Sequence, residues 1–349
     1  MRIPSFALAA IALAALCCAP RPATADDTLT LIAGAQQTAF FEVLEYVAED
    51  AGFFKEQGLT VNVQFAGNPG NAAQLVASGK GDICSLALEP VIQGYEKGLR
   101  LTAFFSRDPQ YEWVLATLAD SPIKTLADFK GATLGEYSPG SPAELSTNAT
   151  LEGAGLKKSD VTYEVIGGGA QAIAALNNHK VAGVAFPNPE LAIYKSVAGL
   201  KFRYFWNPIL KDIGDVGFAA TPATIAAKGD ALKRFSRAMA ESAILIRENP
   251  QLAARYFVHG AGVKETPEAI AAETNLLTLS QDQLPGIDPN SKKIGLMGTR
   301  GLGVLTSWLN DNGLTSKVVP VSAISTDAFI AYANDFDHKA LIARVKAMR

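Results

Sequence analysis

The chain has 349 residues, 48% of them apolar and 19% charged, with a formal net charge of −3. That length exceeds what a single hydrophobic core usually serves and points to two domains or lobes, while the slight acidic excess gives no electrostatic footprint for nucleic acid. Three cysteines and three histidines are too few and too scattered for a disulfide framework or a Cys/His metal cluster.

Arg2, an apolar run from Phe6 to Ala19, and Ala23-Thr24-Ala25 ahead of Asp26 read as a secretory signal over residues 1–25 with an A-x-A cleavage site. The run is too short to span a bilayer. The residues before Cys17 and Cys18 lack the pattern that precedes a lipidated cysteine, so a soluble exported protein is expected. Cleavage removes Arg2 and Arg21 and leaves 29 basic against 34 acidic residues. Cys84 alone among the thiols survives it, which excludes an internal disulfide.

The mature chain alternates strands and helices. A strand over Thr28 to Ala33 is followed by the loop Gly34 to Thr38 and a helix from Ala39 to Asp50. Gly52 and Gly58 then punctuate a polar turn before the alternating strand Leu59, Val61, Val63, Phe65. Asn68-Pro69-Gly70-Asn71 is a turn cluster that starts the helix Ala72 to Ser78, and Gly79-Lys80-Gly81-Asp82 hands over to the strand Ile83 to Leu86. A helix from Glu89 to Lys97 and a strand from Leu101 to Ser106 complete the first set. The same grammar recurs with strands at Thr133 to Glu136, Val161 to Ile166 and Val181 to Phe186, and helices at Pro142 to Gly153 and Ala170 to Asn178. This order predicts parallel sheets covered by helices on both faces, with ligands meeting the carboxyl ends of the strands. Helical periods over Ala231 to Arg247, Pro250 to Val258 and Pro267 to Leu279, and again in the tail, make the last third helical.

AGFFKEQGL, the helix ending in ASGKGDI, Glu89-Pro90, PIKTLADFKGATLG at Pro122 to Gly135 and IGGGAQAIAALNNHKVAGVAF at Ile166 to Phe186 together resemble the substrate-binding proteins of ABC importers in the nitrate/sulfonate/taurine and pyrimidine-precursor (thiamine pyrimidine synthase-like) superfamily. The resemblance implies a two-lobed type II periplasmic-binding-protein fold of α/β class, its two doubly wound lobes joined by two extended hinge crossings near Tyr111 to Leu118 and Asp215 to Thr221. It divides the mature chain into residues 26–114 and 216–349 for lobe I and 115–215 for lobe II. It also implies a periplasmic monomer without cofactor or metal that closes on a small organic molecule and delivers it to a permease and its ATPase subunits. Two rival readings are an exported enzyme on the same fold and a ligand-sensing protein that reports to a membrane receptor. No H-E-x-x-H, Walker loop or nucleophile turn appears, which weighs against the enzyme.

The candidate ligand contacts lie at strand ends. Gln36, Gln37 and Thr38 occupy the first loop, from which the resembling family contributes contacts. Asn68 and Asn71 either reach a ligand or close their turn. Glu89 either faces the cleft, where it disfavours a simple anion, or rests at a helix start favoured by the dipole. Arg107 offers a bidentate fork to an acidic group, or pairs with Asp108. Tyr111 and Trp113 stack on a ring or belong to the core. Ser138 and Ser141 flank Pro139-Gly140 just before a helix, suited to ordinary capping or to an anion held by backbone N–H groups; in the resembling family this loop faces the ligand. Phe186 and Asn188 supply an aromatic and an amide at a strand end. Gly167-Gly168-Gly169 is read as a tight turn with a modest anion-binding alternative, and Cys84 as a buried inert thiol.

Overall fold

The computed structural model describes residues 27–35, 42–108, 113–139, 142–206, 216–279 and 293–349. The signal segment and its cleavage site lie outside them. Lobe I begins with β1 (Asp27–Ala33), α1 (Val43–Asp50), α2 (Phe53–Glu56), β2 (Leu59–Phe65), α3 (Pro69–Ala77), β3 (Ile83–Ala87), α4 (Glu89–Glu96) and β4 (Thr102–Asp108). The chain then builds the second lobe from β5 (Trp113–Leu118), β6 (Thr133–Glu136), α5 (Pro142–Glu152), β7 (Thr162–Val165), α6 (Gly169–Asn177), β8 (Gly183–Pro187), α7 (Asn188–Ala198) and β9 (Phe202–Phe205). It returns as β10 (Val216–Ala220) and continues in α8 (Pro222–Glu248), α9 (Pro250–Gly260), α10 (Pro267–Leu279), α11 (Thr299–Asp311), α12 (Val321–Ile324), α13 (Ile330–Ala333) and α14 (His338–Ala347).

Two five-stranded sheets result, ordered β2-β1-β3-β10-β4 and β7-β6-β8-β5-β9. In each sheet four strands run in one direction, as the alternating grammar predicts, and the fifth runs antiparallel to them, which the grammar does not predict. β10 enters lobe I antiparallel between β3 and β4, and β5 enters lobe II antiparallel between β8 and β9. The expectation of purely parallel sheets is thereby corrected to mixed ones. A strand arriving from the other lobe is not tied to a right-handed βαβ crossover, and so it is free to run the opposite way.

Both faces of the lobe I sheet are covered, and the side chains divide by strand alternation. Leu29 and Leu31 of β1, Phe218 of β10 and Phe104 of β4 share a core with α1, α8 and α9. Ile32, Cys84, Ala103 and Ala219 point to the opposite face, against α3, α4 and α11. Phe235 of α8 stands at the centre of the first core. Its ring stacks on Phe54 at 5.8 Å, meets Phe218 edge-on at 5.0 Å and meets Phe104 edge-on at 6.4 Å. Cys84 is buried and free, its Sγ donating to the Ala219 carbonyl at 3.4 Å, in keeping with an inert thiol.

One buried acid on α8 has a measurable consequence. Burial pushes the Glu241 carboxyl from 4.5 up to about 7, helped by nearby Glu56 and opposed by Arg344 and Arg237. A carboxyl whose folded-state pKa is raised adds stability below its unfolded value, and that stability is lost as the pH climbs through the folded one. Wild-type stability is therefore expected to decline between about pH 4.5 and pH 7, and Glu241→Gln to flatten the decline in urea denaturation across that window. An unchanged slope in the variant rules Glu241 out as its source.

Candidate ligand site at the lobe interface

On the lobe I side, the carboxyl ends of β3 and β4 and the start of α1 converge. Gly34 lets β1 end tightly here: a Cβ would lie 3.0 Å from the Pro69 Cα and 3.3 Å from the Ser85 carbonyl oxygen. Arg107 is the extra residue of a β-bulge, since Val216 pairs with Asp108 while Gly217 pairs with Ser106. The bulge re-aims its side chain, which is 3% exposed and donates to Ser85 Oγ at 3.3 Å. Glu42 and Glu45, three apart at the start of α1, are each 1% exposed. Glu89 opens α4; burial drives its carboxyl up to about 7, and its Oε2 is buried without a hydrogen bond.

The lobe II side is aromatic. Tyr137, just after β6, meets Trp113 edge-on at 5.7 Å and Phe186 edge-on at 5.6 Å, and Phe186 meets Tyr194 edge-on at 6.0 Å. Behind them, Gly169 N–H at the start of α6 donates to Tyr194 Oη at 2.7 Å and to Glu190 Oε1 at 3.1 Å, while Tyr194 Oη donates to Glu190. Gly168 leaves no room for a side chain, because a Cβ would stand 2.5 Å from the Tyr137 ring and 2.8 Å from Glu190 Oε1. Gly167 and Gly169 both adopt positive φ, so the triple glycine is a tight turn. The N–H of Gly169 is spent on the chain's own carboxylate and phenol. Burial raises the Glu190 carboxyl, and the bonds from Tyr194 and Gly169 hold it back. Tyr137 joins the two faces: burial raises its phenol, as do Glu190 of its own lobe and Glu42 of lobe I.

Several expected contact residues find definite places. Asn68 caps α3, its Oδ1 accepting the Asn71 N–H at 2.9 Å, and Asn71 donates to the Ala66 carbonyl at 3.0 Å; both amides close their turn. Phe186 is fully buried and supports the aromatic face from behind. Ser138 is half-buried in the loop after β6, and Asn188 opens α7. Gln36, Gln37, Thr38, Tyr111 and Ser141 lie outside the described residues. Glu42, Glu45, Tyr137, Glu190 and Tyr194 join the site without having been singled out from the sequence. The spacing Glu190-x-x-x-Tyr194, which puts an acid and a phenol on one helical face, was the available signal.

Two α/β lobes with reciprocal antiparallel strands and a polar and aromatic interface between them define the periplasmic-binding-protein fold. The family model described as NMT1/THI5 like matches residues 43–253, and the chain belongs to that family. It is 26% identical over 296 residues to a formylaminopyrimidine-binding protein of Halalkalibacterium halodurans, covering 81% of this chain and 84% of the relative. Among solved structures, a protein of Bordetella bronchiseptica RB50 superposes with a TM-score of 0.71 at 21% identity, over 90% of this chain and 98% of that one. The alkanesulfonate-binding protein SsuA of Xanthomonas axonopodis pv. citri, bound to MOPS, follows with a TM-score of 0.64 at 15% identity, over 88% of this chain and 100% of that one.

Proposed function

We propose that this chain is the periplasmic substrate-binding component of an ABC importer, and that its ligand is a flat nitrogen heterocycle of the aminopyrimidine kind. The observation that carries the ligand class is the acid content of the interface: Glu42 and Glu190 both lie close enough to Tyr137 to raise its phenol, and Glu45, beside Arg107, and Glu89 add two more carboxyls from lobe I. Buried carboxylates accept hydrogen bonds from ring amines and repel sulfonates and carboxylates. A helix start already occupied by Glu190 has little to offer an anion. The name of the Halalkalibacterium relative points to the same ligand class.

Residues from both lobes contact such a ring at once, so binding stabilises the shut form of a hinge at the two crossings. The shut monomer is then read by a permease with its ATPase subunits. In this reading the chain binds without converting, which the name of the Halalkalibacterium relative, a binding protein, supports.

A thermal-shift screen of the mature chain, Asp26 onwards, against aminopyrimidines, alkanesulfonates, nitrate and aromatic carboxylates tests this reading. A ligand at 100 times its dissociation constant adds about 2.7 kcal/mol to stability, enough to raise the melting point by several degrees. Aminopyrimidines are expected to give the shift and to be recovered unchanged. A shift by sulfonates alone overturns the ligand class, and conversion of the ligand overturns the binding-only reading.

A further inference from the structure

The lobes also touch through helices that lie away from the cleft face. α10 packs against α7 of lobe II. α11 packs against α4 and α12 of lobe I, and its Leu302, Leu305, Trp308 and Leu309 share one continuous core with Ile92 of lobe I and with Trp113 and Ala149 of lobe II. At the end of α5, in lobe II, the side chains of Trp308 and Asn312 both donate hydrogen bonds to the Glu152 carboxylate. Trp308 is only 6% exposed. A buried indole N–H needs an acceptor, and here the acceptor comes from the other lobe. Asn312 Nδ2 also donates to the Trp308 carbonyl at 2.9 Å, which fixes the amide and leaves its second hydrogen for Glu152. Because α5 spans Pro142–Glu152, this contact stands about 15 Å along the helix from the end nearest the Ser138 loop. It occurs in the same conformation in which Glu42 of lobe I acts on Tyr137 of lobe II, that is, with the two faces of the cleft drawn together.

We propose that Glu152, Trp308 and Asn312 form a clasp that holds the lobes in the shut form and so sets ligand affinity from outside the ligand site. The inference rests on the hinge closure proposed above and is independent of the ligand class. The two donors meet Glu152 only while the lobes are together. On opening, Glu152 and Asn312 exchange each other for water, whereas Trp308 gives up its acceptor together with part of its cover. The clasp therefore raises the fraction of ligand-free protein that is already shut, and apparent affinity follows that fraction. Since the clasp touches no ligand, its removal weakens every ligand by the same factor.

The test measures the distance between spin labels on the ligand-free mature protein, attached at Lys97→Cys in lobe I and Asn178→Cys in lobe II. Both positions are exposed, and the buried Cys84 stays unlabelled. Glu152→Ala and Trp308→Phe, the second of which keeps an aromatic ring and deletes the N–H donor, are each expected to shift the equilibrium about 3- to 10-fold from the short distance towards the long one. The double variant is expected to do no more than either alone, as two halves of one interaction should. Isothermal titration with an aminopyrimidine is expected to show affinity falling as the short-distance population falls. Unchanged distances in both single variants, a shift towards the short distance, or additive effects in the double variant overturn the clasp and leave the proposed ligand class standing. A wild type that binds no aminopyrimidine overturns that ligand class, while the ligand-free distances still decide the clasp.

Discussion

Tyr137→Ala is expected to weaken binding of an aminopyrimidine about 100-fold in isothermal titration, with Tyr137→Phe staying within about threefold of wild type. The ring is the part that matters: Trp113 and Phe186 hold it edge-on from two sides, and Gly168 permits its close approach. Removing it deletes a stacking surface and the apolar area it covers, together worth about 2.7 kcal/mol, or two factors of ten. The phenol oxygen lies in a region that already holds Glu190 and Glu42, where burial keeps it protonated. If Tyr137→Phe loses as much as Tyr137→Ala, the hydroxyl does the reading and the stacking account is wrong.

Phe235→Ala is expected to cost 3–5 kcal/mol of unfolding free energy. Three other phenylalanines touch the ring from α2, β4 and β10, so its removal leaves a cavity walled by residues that are themselves fully buried and unable to collapse inwards. For a chain of this size that corresponds to a melting-point drop of roughly 10 °C, readable by calorimetry. A loss under about 1 kcal/mol means that the four-ring cluster repacks and does not anchor the sheet.

The lobes and most of their elements were legible in the sequence because period-2 strands and period-3.6 helices are local signals, punctuated here by glycines at the turns. The strand β9, only four residues of Phe202-Arg203-Tyr204-Phe205, carries too little alternation to declare itself, and its place at a sheet edge is set by β5 alone. Strand direction was hidden for a related reason: β10 reads as a short apolar run whichever way it points, and only its neighbours decide. In the site, Glu89 and Arg107 stood out because charge is conspicuous beside a strand end. Glu45 did not, because in a helix expected from Ala39 to Asp50 a glutamate off the apolar stripe reads as an ordinary solvated side chain. Only tertiary burial distinguishes it from Glu49, which remains exposed four residues later.

The late return of β10 to the first sheet fixes the order in which the molecule can be completed. Every pairing of the second sheet joins residues 113–118, 133–136, 162–165, 183–187 and 202–205, so that sheet can form as soon as one continuous stretch has been made. The first sheet must wait with a gap between β3 and β4 until Val216–Ala220 arrives, more than a hundred residues after the strand it pairs with. During synthesis the earlier sequence therefore carries two unpaired strand edges that later chain alone can seal. The loop closed by that pairing makes assembly of the first lobe slow on topological grounds, and an unfinished chain is kept from locking into its final form before its last third exists.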